Sequence, residues 1–484
     1  MEVKLAGFNV ETTLLNSLKE ENKNRFTPEI FSAAYARISR SSLSVTDLRE
    51  KAREDIQKAR ASNKKIIFSM GHHSVAEHAV FNFDIIGVSR LALEDIEKFR
   101  LSSFTEKSQR YVTLKGDFHT PSEISDPALR REFKKMISEQ NNFYVAAFEK
   151  LKDHLYKKHP ELLKNRSDKS MVTGWAKEDA RYILSLATLG QVGLTINARN
   201  LEHLFRRFAM SPKSETVEIG NALYNEVKNI APSIILFRNP SQFERDIINL
   251  RDEFKLDKTI KKIKDFKIVD FTPDGDDLIL SSFYSQYNAV DFSKSRSLVK
   301  KLSDKRKKEL FLKLFRNMEF FDTPPRNFEL PEITFEAAIS ASNFAQLKRH
   351  RIATLISGSY DPDLGNTIPQ SLIDVGLENK FIEIIAGTNE IYYKLNKKYD
   401  GIGDYIITNS HRRNVLMKMN LRELFHFIRL RSDSHAQWDI KNISNNLLVQ
   451  IKKIMPFASM LLCGKDSFVK EFENIYGKKP DFLI

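Results

Sequence analysis

The sequence predicts an α+β protein made of two tandem copies of one fold. A strand-like alternation, Val80-Phe81-Asn82-Phe83-Asp84-Ile85, runs directly into a helix-period pattern. The stretch ISASNFAQLKRHR (339–351) then matches VSRLALEDIEKFR (88–100) position for position. Two more matches keep the same order: Asn420-Leu421-Arg422 with Asn197-Ala198-Arg199, and Ile454-Met455-Pro456 with Ile230-Ala231-Pro232. Val269–Asp274 also echoes the first residues of the chain. Correspondences in one order mean an internal duplication.

Taken in order, Thr27–Arg40 reads as a helix, with a Thr cap, Pro28 in the first turn, and Ile30, Ala34 and Ile38 at helical spacing. Asp47–Ser62 is a charged helical stretch. A strand over Ala79–Val88 and a helix over Ser89–Arg100 follow, then a polar loop from Ser103 to Arg110. Leu129–Lys158 is a long helix, and Asn197 opens an amphipathic one through Leu201, Leu204 and Phe205. The first copy is assigned 1–240, a charge-dense linker 241–267, and the second copy 268–484. In the second copy, Lys294–Arg316 reads as a basic helical patch with Leu298, Leu302, Leu310 and Leu314 as its buried stripe. Met419–Ile440 reads as a helix with Leu421, Leu424, Phe425, Ile428 and Leu430 on its apolar side.

With 484 residues, 41% hydrophobic and 35 of them Phe, the chain can bury a core in each of two or three domains. The single cysteine, Cys463, excludes an internal disulfide and Cys-based metal clusters, and points to a reducing, cytoplasmic compartment. No signal peptide and no membrane-spanning run is read. The net charge of +14 suits polyanionic partners. Basic residues are spread along the chain, so phosphorylated small molecules explain local Arg clusters as well as nucleic acid does. A solvated face is the preferred reading of Lys294–Arg316, and nucleic acid is not the expected partner.

Several constellations carry chemistry. HHSVAEH (72–78) crowds three His and a Glu into seven positions, yet lacks the HExxH spacing that puts two His on one helical face. By its residues alone it reads as a structural turn, with no metal expected. Ser103-Phe104-Thr105-Glu106-Lys107-Ser108-Gln109-Arg110 offers hydroxyls and a guanidinium fork to a phosphate. The second copy offers Gln346-x-x-Arg349-His350-Arg351 and Arg431-x-Asp-x-His435-Ala-Gln-Trp.

These motifs resemble the flavin-dependent thymidylate synthases, whose signature is RHR, two spacers, then S-x-N-E-x-S-x-R-Y. Each copy holds half of it. Lys98-Phe99-Arg100 stands for RHR in the first copy, and Thr105 for the Asn; Ile356, Ser357 and Asp361 replace the later positions in the second. The resemblance implies the family's fold in each copy, a mixed or antiparallel sheet packed with long helices. It places His72, Ser74, Glu77, Arg349, His350, Arg351, Asn420, Arg422, His426 and His435 at flavin-contact positions, with His73 and His78 less firmly matched. Glu106, Ser108, Gln109, Arg110, Arg181, Gln346, Arg349 and Arg431 fall at nucleotide positions, with Arg431 and Ser108 as the catalytic residues. In the first copy the position of Arg431 is Phe208, beside Arg207, and in the second the position of Arg181 is Asp404.

The implied reaction is reductive methylation of dUMP to dTMP with methylenetetrahydrofolate and NADPH, using FAD, in a homodimer equivalent to the family's tetramer. Composite sites would draw on the residues that each copy retains. A catalytically degenerate FAD- or nucleotide-binding paralogue and a basic nucleic-acid-binding protein remain as alternatives.

Overall fold

The computed structural model describes residues 1–10, 27–38, 41–110, 112, 114, 116–250, 253–254 and 266–481. In the first copy, strand β1 (Glu2–Phe8) precedes three short helices, and β2 (Val80–Ser89) leads into helix α1 (Arg90–Glu97). Strand β3 (Ser102–Glu106), the long helix α2 (Pro127–Lys158), α3 (Arg166–Ala180), β4 (Leu189–Asn197), α4 (Ala198–Phe208) and α5 (Ser214–Val227) follow. The second copy repeats the plan with β5 (Lys267–Phe271), β6 (Glu332–Ser340), α6 (Ala341–Leu347), β7 (Thr354–Tyr360), α7 (Glu378–Lys398), β8 (Arg412–Asn420), α8 (Leu421–Arg431) and α9 (Trp438–Ile454).

The two four-stranded antiparallel sheets have one topology, β1-β2-β4-β3 and β5-β6-β8-β7. Register is shared as well: Val80 faces Asn197 in one sheet and Glu332 faces Asn420 in the other. Alternation sets the faces. Phe81, Phe83 and Ile85 point into the first core, and Ile333, Phe335 and Ala337 into the second. Both central strands of each sheet run straight into a helix that is capped by the strand's last residue. Ser89 and Ser340 Oγ accept from the third helical N–H, as do Asn197 and Asn420 Oδ1.

Contacts divide the chain into two units that cut across the copies. One contains Met1–Ile260 and Pro369–Asn409; the other contains Lys261–Ile368 and Ser410–Ile484. The segment from Pro369 to Asn409, second copy by sequence, therefore packs within the first unit. There α7 lies against α2, Leu186 N–H donates to Ile407 C=O (2.7 Å), and Asn409 N–H donates to Leu184 C=O (2.9 Å). Gln140, fully buried, donates to Thr388 Oγ1 (2.8 Å) and to Ile406 C=O (3.2 Å).

Several sequence expectations change in detail. The helix expected over Thr27–Arg40 is Glu29–Tyr35, with 39 and 40 outside the described residues. Asp47–Ser62 is two helices, Val45–Glu54 and Ile56–Lys64, because Asp55 leaves the helical region and caps the second. Within 241–267, Gln242–Asn249 is a helix with a Ser241–Glu244 capping box; 251–252 and 255–265 lie outside the described residues. The leucine stripe expected in the basic patch holds in its second half, where Leu310 and Leu314 are partly buried against the core beside the fully buried Phe311 and Phe315. In the first half Ser295 and Val299 are buried instead, while Leu298 is 41% exposed. The patch is two helices broken at Lys301–Ser303, so no single period runs through it. Met419–Ile440 is a strand end, α8, a turn and the start of α9. No described helix is long and apolar enough to cross a membrane.

Replacing Gln140 with Ala removes both bonds to the 369–409 segment and strands a buried carbonyl. A loss of about 2 kcal/mol in unfolding free energy is expected, read as a lower urea midpoint at unchanged m-value.

Candidate functional site

In the first unit, Gly71 with φ +75° turns the chain into His72, and His73–His78 forms a tight 3-10 turn. His72 and Ser74 sit exposed on it, while Glu77 reaches α4 and pairs with Arg199 at 2.5 Å. Arg199, His203 and Arg206 share one face of α4 at i, i+4 and i+7, and together with His73, Phe68 and Phe237 they line a pocket of about 260 Å³. Phe68 meets Phe237 edge-on at 5.0 Å. Glu202, also at the pocket, accepts from the Leu236 and Phe237 amides, and burial raises its pKa. Burial, then the charges of Arg206 and Arg199, lower the pKa of His203 and favour its neutral form. Arg199, His203 and Arg206 were legible in the Asn197-x-Arg199 repeat and its helical stripe, but the sequence reading did not count them among cofactor contacts.

The nucleotide loop expected from Ser103 to Arg110 begins as edge strand β3, paired to β4 from Ser102↔Ile196 to Glu106↔Val192. Beyond it, Ser108 Oγ accepts from the Arg110 amide (3.1 Å), and the Arg110 guanidinium pairs with Glu178. Arg181, buried at the end of α3, donates through Nε to Glu178 C=O (3.3 Å). Burial pulls its pKa down from the usual guanidinium value. Arg90, which is buried on α1, lies 3.6 Å from Glu106 and 3.5 Å from Glu94. Glu106, Gln109, Arg110 and Arg181, as expected from the sequence, thus share one unit, and Arg90 and Glu178 join them.

In the second unit, Arg431 at the end of α8 donates from Nε to His350 Nε2 (2.9 Å). Its Nη1 donates to Gln346 Oε1 (2.9 Å) and its Nη2 to Gln346 C=O (3.0 Å). A guanidinium only donates, so His350 Nε2 is an acceptor and the ring proton of the neutral imidazole sits on Nδ1. That atom faces Glu423 Oε1 at 3.4 Å. Burial, then Arg431 and His426, push the His350 pKa well below the ordinary value, while burial raises that of Glu423. Arg349 is partly buried and Arg351 exposed. Asn420 caps α8, Arg422 pairs with Glu329 (3.0 Å), and His426 packs against the His350 ring (centroids 5.5 Å). His435, 81% exposed, bonds Asp433 through Nδ1 (2.8 Å).

The positions matching His350 and Arg431 in the first copy are Phe99 and Phe208, and these also touch, as an edge-to-face pair at 6.0 Å. Arg207 lies over the Phe99 ring at 5.8 Å. Asp95, at the position of Gln346, is held by Lys98 and Lys213, both at 2.8 Å. One pair of positions is therefore polar in one copy and apolar in the other. Cys463 is buried, its Sγ directed at Leu461 C=O (3.5 Å), and burial pushes its pKa to about 12, which keeps it a thiol.

A family model described as thymidylate synthase complementing protein matches residues 24–233 and again 267–457. The chain belongs to the flavin-dependent thymidylate synthase family. The paired matches make it a tandem of two diverged copies, of nucleotide-methyltransferase type. Its relatives include a UPF0159 protein of Thermoplasma acidophilum, 24% identical over 81% of this chain and 86% of that one. A Chlamydia muridarum UPF0159 protein is 24% identical over 83% and 80%. The flavin-dependent thymidylate synthase of Geobacter sulfurreducens is 30% identical over 44% of this chain and 83% of its own. Among solved structures, the Helicobacter pylori enzyme complexed with FAD and dUMP matches at 17% identity and TM-score 0.29, over 49% of this chain and 100% of that one.

The depressed pKa of His350 fixes the sign of a pH effect. The unfolded imidazole takes up a proton near pH 6.5, whereas the folded one resists it, so this contribution is complete above that pH and is lost as pH falls below it. Thermal midpoints measured from pH 8 to pH 5 should fall more steeply for wild type than for His350→Gln, with the difference confined to the acid side.

Proposed function

We propose that the chain makes dTMP by reductive methylation of dUMP, with methylenetetrahydrofolate as carbon donor, NADPH as reductant and FAD as cofactor, in a homodimer. The observation that carries this is the unequal fate of one pair of positions. Arg431–His350 is kept as a hydrogen-bonded pair, held further by Gln346, while its counterpart has become Phe208–Phe99. A polar cluster around a buried imidazole is costly to keep without use, and the copy that keeps this one has lost the Ser108–Arg110 loop. Activity then requires both retained sets.

The pocket beside Glu77 and Arg199 suits part of a flavin nucleotide: two aromatic walls fit a flat ring, and Arg199, Arg206 and His203 fit its phosphates. When bound, FAD supplies the hydride. Glu77 orients Arg199, and His72 and Ser74 present polar groups from the turn. Ser108, Arg110 and Arg181 bind the nucleotide phosphate, with Glu106 and Gln109 alongside. Arg431 draws negative charge onto the pyrimidine ring, and neutral His350, accepting from Nε, sets the orientation of that guanidinium. Cys463, buried and protonated, has no part in a covalent step.

A second reading has one observation in its favour. Nε, Nη1 and Nη2 of Arg431 all donate to protein acceptors, as a purely structural arginine would. A yellow protein that binds dUMP without forming dTMP would establish that reading.

Purified protein should carry one FAD per chain by absorbance, because one Arg-His-Arg survives; two tightly held FAD per chain would overturn the assignment. Arg431→Ala should lose dTMP formation by a factor of at least about 100, the scale of one lost electrostatic contact to the reacting group, and should stay yellow. Arg207→Ala should stay near wild type in the same radiolabel assay, and Cys463→Ser should keep most of its activity.

A further inference from the structure

Asn409 is second copy by sequence, yet it lies in the first unit, 1% exposed, among the residues of the nucleotide loop. Its Oδ1 faces Arg90 Nε at 3.4 Å, and its Nδ2 donates to Arg181 C=O at 3.0 Å and to Gln109 Oε1 at 3.0 Å. Two of these partners admit one role each: a guanidinium N–H can only donate and a main-chain carbonyl can only accept. They fix which end of the Asn409 amide is oxygen, independently of how the amide is drawn. Gln109 must therefore offer its oxygen to Asn409, which leaves Gln109 Nε2 as the outward donor. That nitrogen has no hydrogen-bond partner among the described residues. It sits between Ser108 and Arg110 in the chain, on the loop that carries the retained nucleotide residues.

We infer that Asn409 is a positioning residue, supplied by the second copy, that locks Gln109 with its N–H₂ turned outward as a donor to an oxygen acceptor on a bound nucleoside monophosphate. The inference rests on the nucleotide-binding reading of Ser108–Arg110 and adds a polarity to it. Arg90 is the anchor. Buried against Glu94 and Glu106, it holds Oδ1 of Asn409 and so sets the direction of the whole relay, Arg90 to Asn409 to Gln109 to ligand. Leu186, at the position of Asn409 in the first copy, has no amide to play the same part.

N409D tests the relay at almost constant volume. A carboxylate accepts from Arg90 but cannot donate to Gln109, so Gln109 is released to turn its nitrogen inward. The probe is dUMP, measured by calorimetry on the FAD-loaded dimer, alongside kcat and KM. Wild type should bind dUMP, and N409D should bind it about 10-fold more weakly, the effect of losing one hydrogen bond to a charged ligand. KM should rise with kcat little changed and FAD content unchanged. Gln109→Leu, which leaves Asn409 in place, should weaken binding to the same degree, and N409D in the Gln109→Leu background should weaken it no further. A structural role for Asn409 would instead lower kcat, FAD content and melting temperature together, with additive losses, and that result overturns the inference. Unchanged dUMP affinity in both single variants overturns it while leaving the nucleotide reading intact. No dUMP binding by wild type overturns both.

Discussion

The capped junctions between strand and helix are what the sites depend on. In each sheet the two central strands end in a residue whose side chain caps the next helix, so two site-bearing helices leave adjacent strands in fixed directions. The serine caps are tied down a second time. Ser89 Oγ donates to Glu215 (2.5 Å) and Ser340 Oγ donates to Asp439 (2.5 Å), each carboxylate coming from a later helix of the same unit. Glu215 is bonded further by the Ser89 amide and the Tyr405 hydroxyl. With both ends of the sheet pinned in this way, a residue two or three positions past α1 or α6 meets the last turn of α4 or α8 in both copies. That meeting is Phe99 with Phe208 in one and His350 with Arg431 in the other.

The two copies thus keep one backbone plan and fill it with opposite chemistry. An aromatic pair gains from burial and edge-to-face packing, with no polar atom to satisfy. The Arg–His pair carries nitrogens that need partners: Gln346 accepts from Arg431, while His350 Nδ1 only faces Glu423 Oε1 at 3.4 Å, and neither of these two buried atoms makes a hydrogen bond among the described residues. The loop proposed to bind the nucleotide shows the converse: β3 leads to Ser108 and Arg110 in the first copy, whereas β7 leads to Asp361, which caps a 3-10 turn.

Much of this was legible in the sequence because it rests on short-range pattern. Period-2 alternation gave β2, the repeated Asn-x-Arg marked the starts of α4 and α8 without the strands β4 and β8 before them, and the split signature showed which copy holds which motif residues. The leucine stripe held for Leu310 and Leu314 and not for Leu298, because Lys301–Ser303 interrupts the helix and resets the phase, so that Val299 turns inward. The polar loop at Ser103 was a strand because its hydrogen-bonding partner, β4, lies about 90 residues away and no local signal reports it. Asn409 was invisible for the same reason on a larger scale, since its partners are 228 and 300 residues distant.

The placement of Pro369–Asn409 has a consequence for biosynthesis. The unit that begins at Met1 has its first stretch complete at Ile260, but its last piece ends 149 residues later, from 409 − 260. At translation rates of roughly 5–20 residues per second, that gap is about 7–30 seconds. Until then the apolar side of α2 that α7 covers lacks its partner, Phe143 having no Phe381 to pack against. The fused order of the copies ties completion of the first unit, including the bonds of Asn409 to Gln109 and Arg181, to synthesis of the second copy.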